Sequence, residues 1–154
     1  TTRPRDIRLD GLDPCALFTP EVRAKLGTDR PPRFAKGPSP VFQGEVPACD
    51  VLRFSAPSFN VSVSFVLHDG VDLYRPERVQ GMVAARAVHG FPALLLTPSR
   101  YRDSCAVAID IAPGQLISIL YGDGGGTPPI PQPQLCAGAE LTADLTMSAL
   151  LAQV

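Results

Sequence analysis

Hydrophobic and polar residues alternate most cleanly between Asn60 and Leu67. There Val61, Val63 and Phe65 fall on one side of an extended chain and Ser62, Ser64 and Val66 on the other. A period of two is the pattern of a strand with one buried face. The run Cys49–Ala56 just before it has the same β-rich character. Further on, Met82–Val88 and Phe91–Thr97 flank His89-Gly90, a dipeptide suited to a tight turn, and read as a hairpin. A helix over Pro76–Ala87 is the competing reading of the first arm. Cys105–Ile111 alternates, Pro113-Gly114 turns, and Leu116–Tyr121 runs back, a second hairpin that should centre the sheet.

The ends of the chain read differently. Asp13–Gly27 predicts a turn followed by a short helix, with Thr19 as N-cap, Pro20 at the first helical position, Val22 and Leu26 facing inward, and Gly27 as terminator. Leu135–Leu151 places Leu141, Leu145 and the Met147–Leu151 cluster near helical spacing, so a closing helix should lay an apolar stripe on the sheet. Prolines and glycines cluster at Arg30–Pro47, near Pro76 and Gly81, and at Gly122–Pro133, which mark loops. Pro31, Pro32, Pro38 and Pro40 exclude a helix or central strand from the first of these, which reads as a long surface loop. The expectation is an α+β domain: an antiparallel sheet of about five to six strands with an N-terminal and a C-terminal helix packed on it.

Composition narrows the partners. With 154 residues the chain fits one domain, and 45% hydrophobic against 19% charged residues belongs to a folded globule. Fourteen basic against fifteen acidic side chains leave a formal net charge of -1, so no field steers it to nucleic acid or anionic lipid. No apolar run approaches a bilayer span, and Thr1–Asp10 contain no signal-peptide core.

Cys15, Cys49, Cys105 and Cys136 lie far apart, unlike the close pairs of zinc and dithiol sites. Four cysteines allow three pairings. The nearest-neighbour one, Cys15 with Cys49 and Cys105 with Cys136, closes two loops of similar length and would staple each helix to the sheet. Such bonds imply an oxidising compartment. Four buried thiols in a cytosolic protein is the other reading.

The order of these segments carries a resemblance. Asp13-Pro14-Cys15 followed by Leu17 and Thr19-Pro20, the Gly90-x-Pro92-Ala93 turn, and Cys105 about thirty residues before Cys136 and its helix together resemble an actinobacterial secreted lipoprotein family catalogued as a domain of unknown function. The resemblance implies an extracytoplasmic, cell-surface location, a lipid anchor upstream of Thr1 as the sole membrane contact, and two disulfides. It brings no catalytic residue. It also makes residues 1–11 the end of a tether and 12–154 the single globular domain.

The candidate chemistry is sparse. His68 and His89 are the two histidines; Asp69 follows His68 directly, and neighbours in an extended chain point apart, so turn chemistry is the better reading. There is no G-x-S-x-G elbow, and Ser104-Cys105 offers no nucleophile if Cys105 is oxidised. Asp123-Gly-Gly-Gly-Thr127 lacks the lysine of a phosphate loop, and the scattered aspartates lack calcium-loop spacing, so no cofactor or metal is expected. Asn60-Val61-Ser62 matches a glycosylation acceptor, but a place inside a strand argues against exposure. What remains is a binding patch of Tyr74, Arg75, Arg100, Tyr101 and Arg102, with Arg78 nearby, since Tyr and Arg combine buried area with directed polar contacts. The reading is a non-enzymatic domain that binds a small molecule or an envelope protein. A cell-wall hydrolase or transferase with a concealed site is the alternative, and would show itself by a deep pocket at His68 or His89.

Overall fold

The computed structural model describes residues 2–154. Seven strands form one antiparallel sheet: β1 (Arg33–Pro38), β2 (Glu45–Arg53), β3 (Phe59–Val66), β4 (Gly81–Val88), β5 (Phe91–Pro98), β6 (Ser104–Ala112) and β7 (Gln115–Asp123), in the spatial order β1-β2-β3-β7-β6-β5-β4. Two helices complete it, α1 (Pro20–Leu26) and α2 (Gln132–Gln153). The expected strand count was low by at least one. The missing strand is β1, drawn from the proline-rich segment read as a loop. Its one proline, Pro38, is tolerated because the strand lies at the sheet edge and pairs on one side alone, with β2.

The two hairpins stand where the alternation put them. His89 and Gly90 both have left-handed backbone, φ 49° and 84°, and join β4 to β5 with the twist a two-residue turn requires. The helical alternative for this arm is thereby excluded. Gly114, φ 67°, turns β6 into β7, and this hairpin does occupy the middle of the sheet beside β3.

One face of the sheet carries the main core. Val61, Val63, Phe65, Val107, Ile109, Ile117 and Ile119 meet Leu135, Ala139, Ala143, Met147 and Leu150 of α2, with Leu17, Val22 and Leu26 closing one side. The buried stripe of α2 is not quite the expected one. Leu141 is exposed, and small residues lie against the sheet instead, including Thr142 and Thr146, whose hydroxyls donate back to the carbonyls of Gly138 and Thr142 at 2.7 and 2.6 Å. Among the described residues α2 is the one helix long and apolar enough to cross a membrane by length and composition, and its inner stripe is buried here.

Residues 67–80 cross the opposite face from β3 to β4, where Val71 and Tyr74 pack on a smaller cluster of Val46, Val66, Leu96, Ala108 and Leu116. Helix α1 begins and ends as read: the Thr19 hydroxyl accepts from Val22 N–H, and Gly27 is left-handed.

The opening segment corrects the tether reading. Ile7 and Leu9 are core residues, Ile7 N–H donates to Ile111 O at 2.9 Å, and Arg3 pairs with Asp110. The boundary expected at residue 11 therefore falls inside the packed unit.

Both disulfides take the nearest-neighbour pairing, Cys15–Cys49 and Cys105–Cys136, and no free cysteine remains. Cys136 ties α2 to β6 as expected. Cys15 lies in a 3-10 turn, Pro14–Leu17, rather than in α1, and Cys49 is in β2.

Candidate functional site

At one end of the sheet two loops face each other, Phe54–Ser58 between β2 and β3, and Gly124–Pro131 between β7 and α2. The first is held by Asp29, whose carboxylate accepts from Phe54 N–H, Ser55 N–H and the Ser55 hydroxyl at 2.7, 3.0 and 2.6 Å. These bonds, the Ser55 hydroxyl first, keep the Asp29 carboxyl well below the usual carboxylate range. The Arg30 guanidinium lies over the Phe54 ring at 4.3 Å. The second loop is held by Asp123, which accepts from Gly125 N–H at 3.0 Å and Ile130 N–H at 2.9 Å. Gly124 N–H donates to Ser58 O at 2.9 Å and joins the two loops. A side chain on Gly124 would collide with Ser58, so the close approach needs glycine there.

Between the loops lies a cleft of about 440 Å³, lined chiefly by Phe54, Pro57, Pro128, Pro129, Ile130 and Pro131, with Ser58, Asp123, Thr127 and Gln134 as polar members. A smaller one of about 270 Å³ adjoins it, sharing Pro57, Ile130 and Gln134 and reaching Leu26, Arg53, Phe59 and Tyr121. Phe59 and Tyr121 stack at 4.8 Å. Gly138 of α2 sits directly on the Tyr121 ring, where a Cβ would come within 2.5 Å.

Arg53 and Ser58 in the walls are committed elsewhere. Arg53 donates to Gly27 O and Ala56 O, and the Ser58 hydroxyl to Arg53 O. Burial pushes the Tyr121 hydroxyl up to about 12, against a smaller opposing pull from Arg53. Tyr74, on the other face of the sheet, is also pushed up to about 12 by burial, opposed by its hydrogen bond with Ser118. Each folded value lies above the ordinary tyrosine range, so the stability these groups contribute is complete below about pH 10 and is lost as pH rises toward 12. In a Tyr101→Phe variant, ultraviolet titration should show phenolate absorbance growing in near pH 12. Growth centred near pH 10 would mean that the two rings are open to water.

Of the five residues expected to form a binding patch, Arg75, Arg100, Tyr101 and Arg102 are exposed, while Tyr74 turns onto the sheet. Ser99 N–H donates to Gln80 O at 3.2 Å, so the loops that carry the two runs meet at the open end of the β4–β5 hairpin. His68 is exposed beside Gly44, and Asp69 accepts from the Gln43 backbone and side-chain amides, a loop tie rather than a dyad. His89 Nε2 lies 3.0 Å from an Asp144 carboxylate oxygen, beside the Arg86–Glu140 pair and a cavity of about 110 Å³. Asn60 is exposed although it lies in β3, contrary to the expectation, because its side chain points away from the helix layer. Among the described residues no group of three or more His, Cys, Asp or Glu is placed to hold a metal ion.

The cleft residues escaped the sequence reading. Phe54 and Ile130, two large apolar side chains among turn-forming residues, were the available signal. No curated protein and no solved structure matches the chain. A family model does, over residues 1–149, so the chain belongs to the family described as "Protein of unknown function (DUF3558)".

Proposed function

We propose that this is a non-enzymatic, extracytoplasmic domain, anchored through lipid upstream of Thr1, that binds a small apolar molecule in the cleft between Phe54–Ser58 and Gly124–Pro131. The observation that carries the reading is the cleft itself. Its volume of about 440 Å³ lies within the range of ligand pockets, and its walls are proline, aromatic and aliphatic. Both loops are fixed by carboxylate-to-backbone bonds, so little ordering cost attends binding. Asp123, the carboxylate in the lining, is occupied by two backbone donors and is poorly placed to act as acid or base. Two disulfides favour an oxidising compartment, which agrees with the extracytoplasmic location that the family resemblance implies.

An uncharged naphthylamine fluorophore is a suitable probe. It should bind with a blue-shifted emission, and Phe54→Ala should weaken it about five- to tenfold, roughly 1–1.4 kcal/mol. Equal binding by the wild type and the variant would remove this cleft as the site. An envelope-protein partner is the second reading, favoured by Tyr101 standing 70% exposed between two arginines. The hydrolase or transferase alternative would rest on His89, whose neighbouring cavity of about 110 Å³ has room for waters but not for a sugar unit.

A further inference from the structure

We propose that β4 is a self-pairing edge, and that two copies of the chain join β4 to β4 antiparallel about a two-fold axis at Ala85, continuing the sheet across the dimer. The two-residue turn at His89-Gly90 makes Val88 and Phe91 a hydrogen-bonded pair, so the bonded pairs continue as Arg86 with Ala93, Ala84 with Leu95 and Met82 with Thr97. Pro92 and Pro98, which have no N–H, fall opposite Ala87 and Gly81, the positions where β5 owes β4 no donor. It follows that the N–H and C=O groups of Val83, Ala85 and Ala87 point out of the sheet. No strand pairs with them among the described residues; the Ala85 carbonyl accepts from the Arg86 guanidinium at 3.0 Å, a bond that pairing would share or replace.

Sheet edges are ordinarily blunted by proline, lysine or bulges. The far edge is: β1 follows Pro31-Pro32, contains Lys36 and ends at Pro38. β4 contains none of these over its eight residues. Its one charge, Arg86, turns to the helix layer and bonds Glu140 at 2.8 Å. Met82 is 73% exposed, the highest value among the exposed large hydrophobics of the described residues.

The sequence of β4 complements itself. With Ala85 opposite the partner's Ala85, Val83 meets the partner's Ala87, and Met82 meets the partner's Val88 on the helix-layer face. Arg86 then faces the partner's Ala84, which avoids placing like charges directly opposite. About six new backbone hydrogen bonds would form. Two chains of formal net charge -1 repel little, and each Arg86, a diagonal neighbour of its counterpart, keeps its own Glu140 as counter-ion. A foreign strand would need a large residue to cover Met82 and a small one beside Arg86, the order that a second copy already provides.

The test is sedimentation velocity on the 154-residue chain, with amide hydrogen exchange of β4 read in parallel. Raising the concentration from about 5 to about 500 µM should double the mass from 16.4 kDa and slow exchange at Val83, Ala85 and Ala87 at least tenfold, with Ala84 and Arg86 protected throughout. Ala85→Pro removes an outward N–H without touching the β4–β5 ladder, and should leave a folded monomer. Ala85→Lys sets two charges against each other at the axis and should do the same if the proline variant fails to fold. A monomer at about 500 µM overturns the proposal. So does a dimer that survives the lysine variant, or one in which those three amides stay unprotected. None of these outcomes bears on the apolar cleft, which lies at the ends of β2, β3 and β7 and takes no residue from β4.

Discussion

Replacing Cys105 and Cys136 together by alanine should lower the free energy of unfolding by about 3–4 kcal/mol, read from a lower urea midpoint with a slope that rises as the unlinked unfolded chain expands. The bond spans 31 residues of chain, and releasing it returns loop entropy to the unfolded state. Its position adds to the effect. Cys105 is fully buried at the start of β6, and Cys136 holds the first turns of α2 on the sheet, so the helix layer should loosen from that end first. Cys15–Cys49, spanning 34 residues, should contribute about as much by the same entropic argument. For a domain whose net stability is on the order of 5–15 kcal/mol, losing both bonds should remove about half of it or more. A double-alanine variant within about 0.5 kcal/mol of the wild type would show that the unfolded chain is already restrained without the bond.

Leu9→Ala should cost roughly 2–5 kcal/mol, the range for emptying a fully buried leucine site. Leu9 is 1% exposed, and its N–H donates to Gln115 Oε1 at 2.9 Å. Gln115 is itself wholly buried and donates in turn to Asp10. Packing and hydrogen bonding thus converge on one residue in a segment whose composition looks like linker. Denaturant unfolding of Leu9→Ala beside Arg5→Ala, an exposed neighbour, separates the two descriptions: a tether would make both variants silent, whereas a docked segment makes Leu9→Ala alone costly.

That segment shows where the sequence was hard to read. Thr1–Gly11 carries three arginines, two aspartates and a proline around just two isolated aliphatic residues, Ile7 and Leu9, too short a stretch for periodicity to stand out. What holds it is the backbone bond to Ile111 and the amide of Gln115, both more than a hundred residues away in the chain. Similarly β1 was hidden because proline vetoes a strand interior but not an edge, and which strand is an edge is a property of the whole sheet. The cleft is of the same kind. Its two loops lie about seventy residues apart, are irregular in sequence, and are joined by the single bond from Gly124 to Ser58.

By itself the sequence determined the local elements: both hairpins, the capped helix at Thr19–Gly27, the closing helix, and the nearest-neighbour pairing as the leading arrangement of the cysteines. Each depends on interactions within a few residues or on a short alternation, and those are written consecutively along the chain. Tertiary structure alone decided the strand order, the seventh strand, the docking of Ile7 and Leu9, the side of the sheet taken by Tyr74, and the meeting of the two cleft loops. These depend on contacts between distant residues, whose formation is repaid only once the whole sheet and its helix layer are assembled.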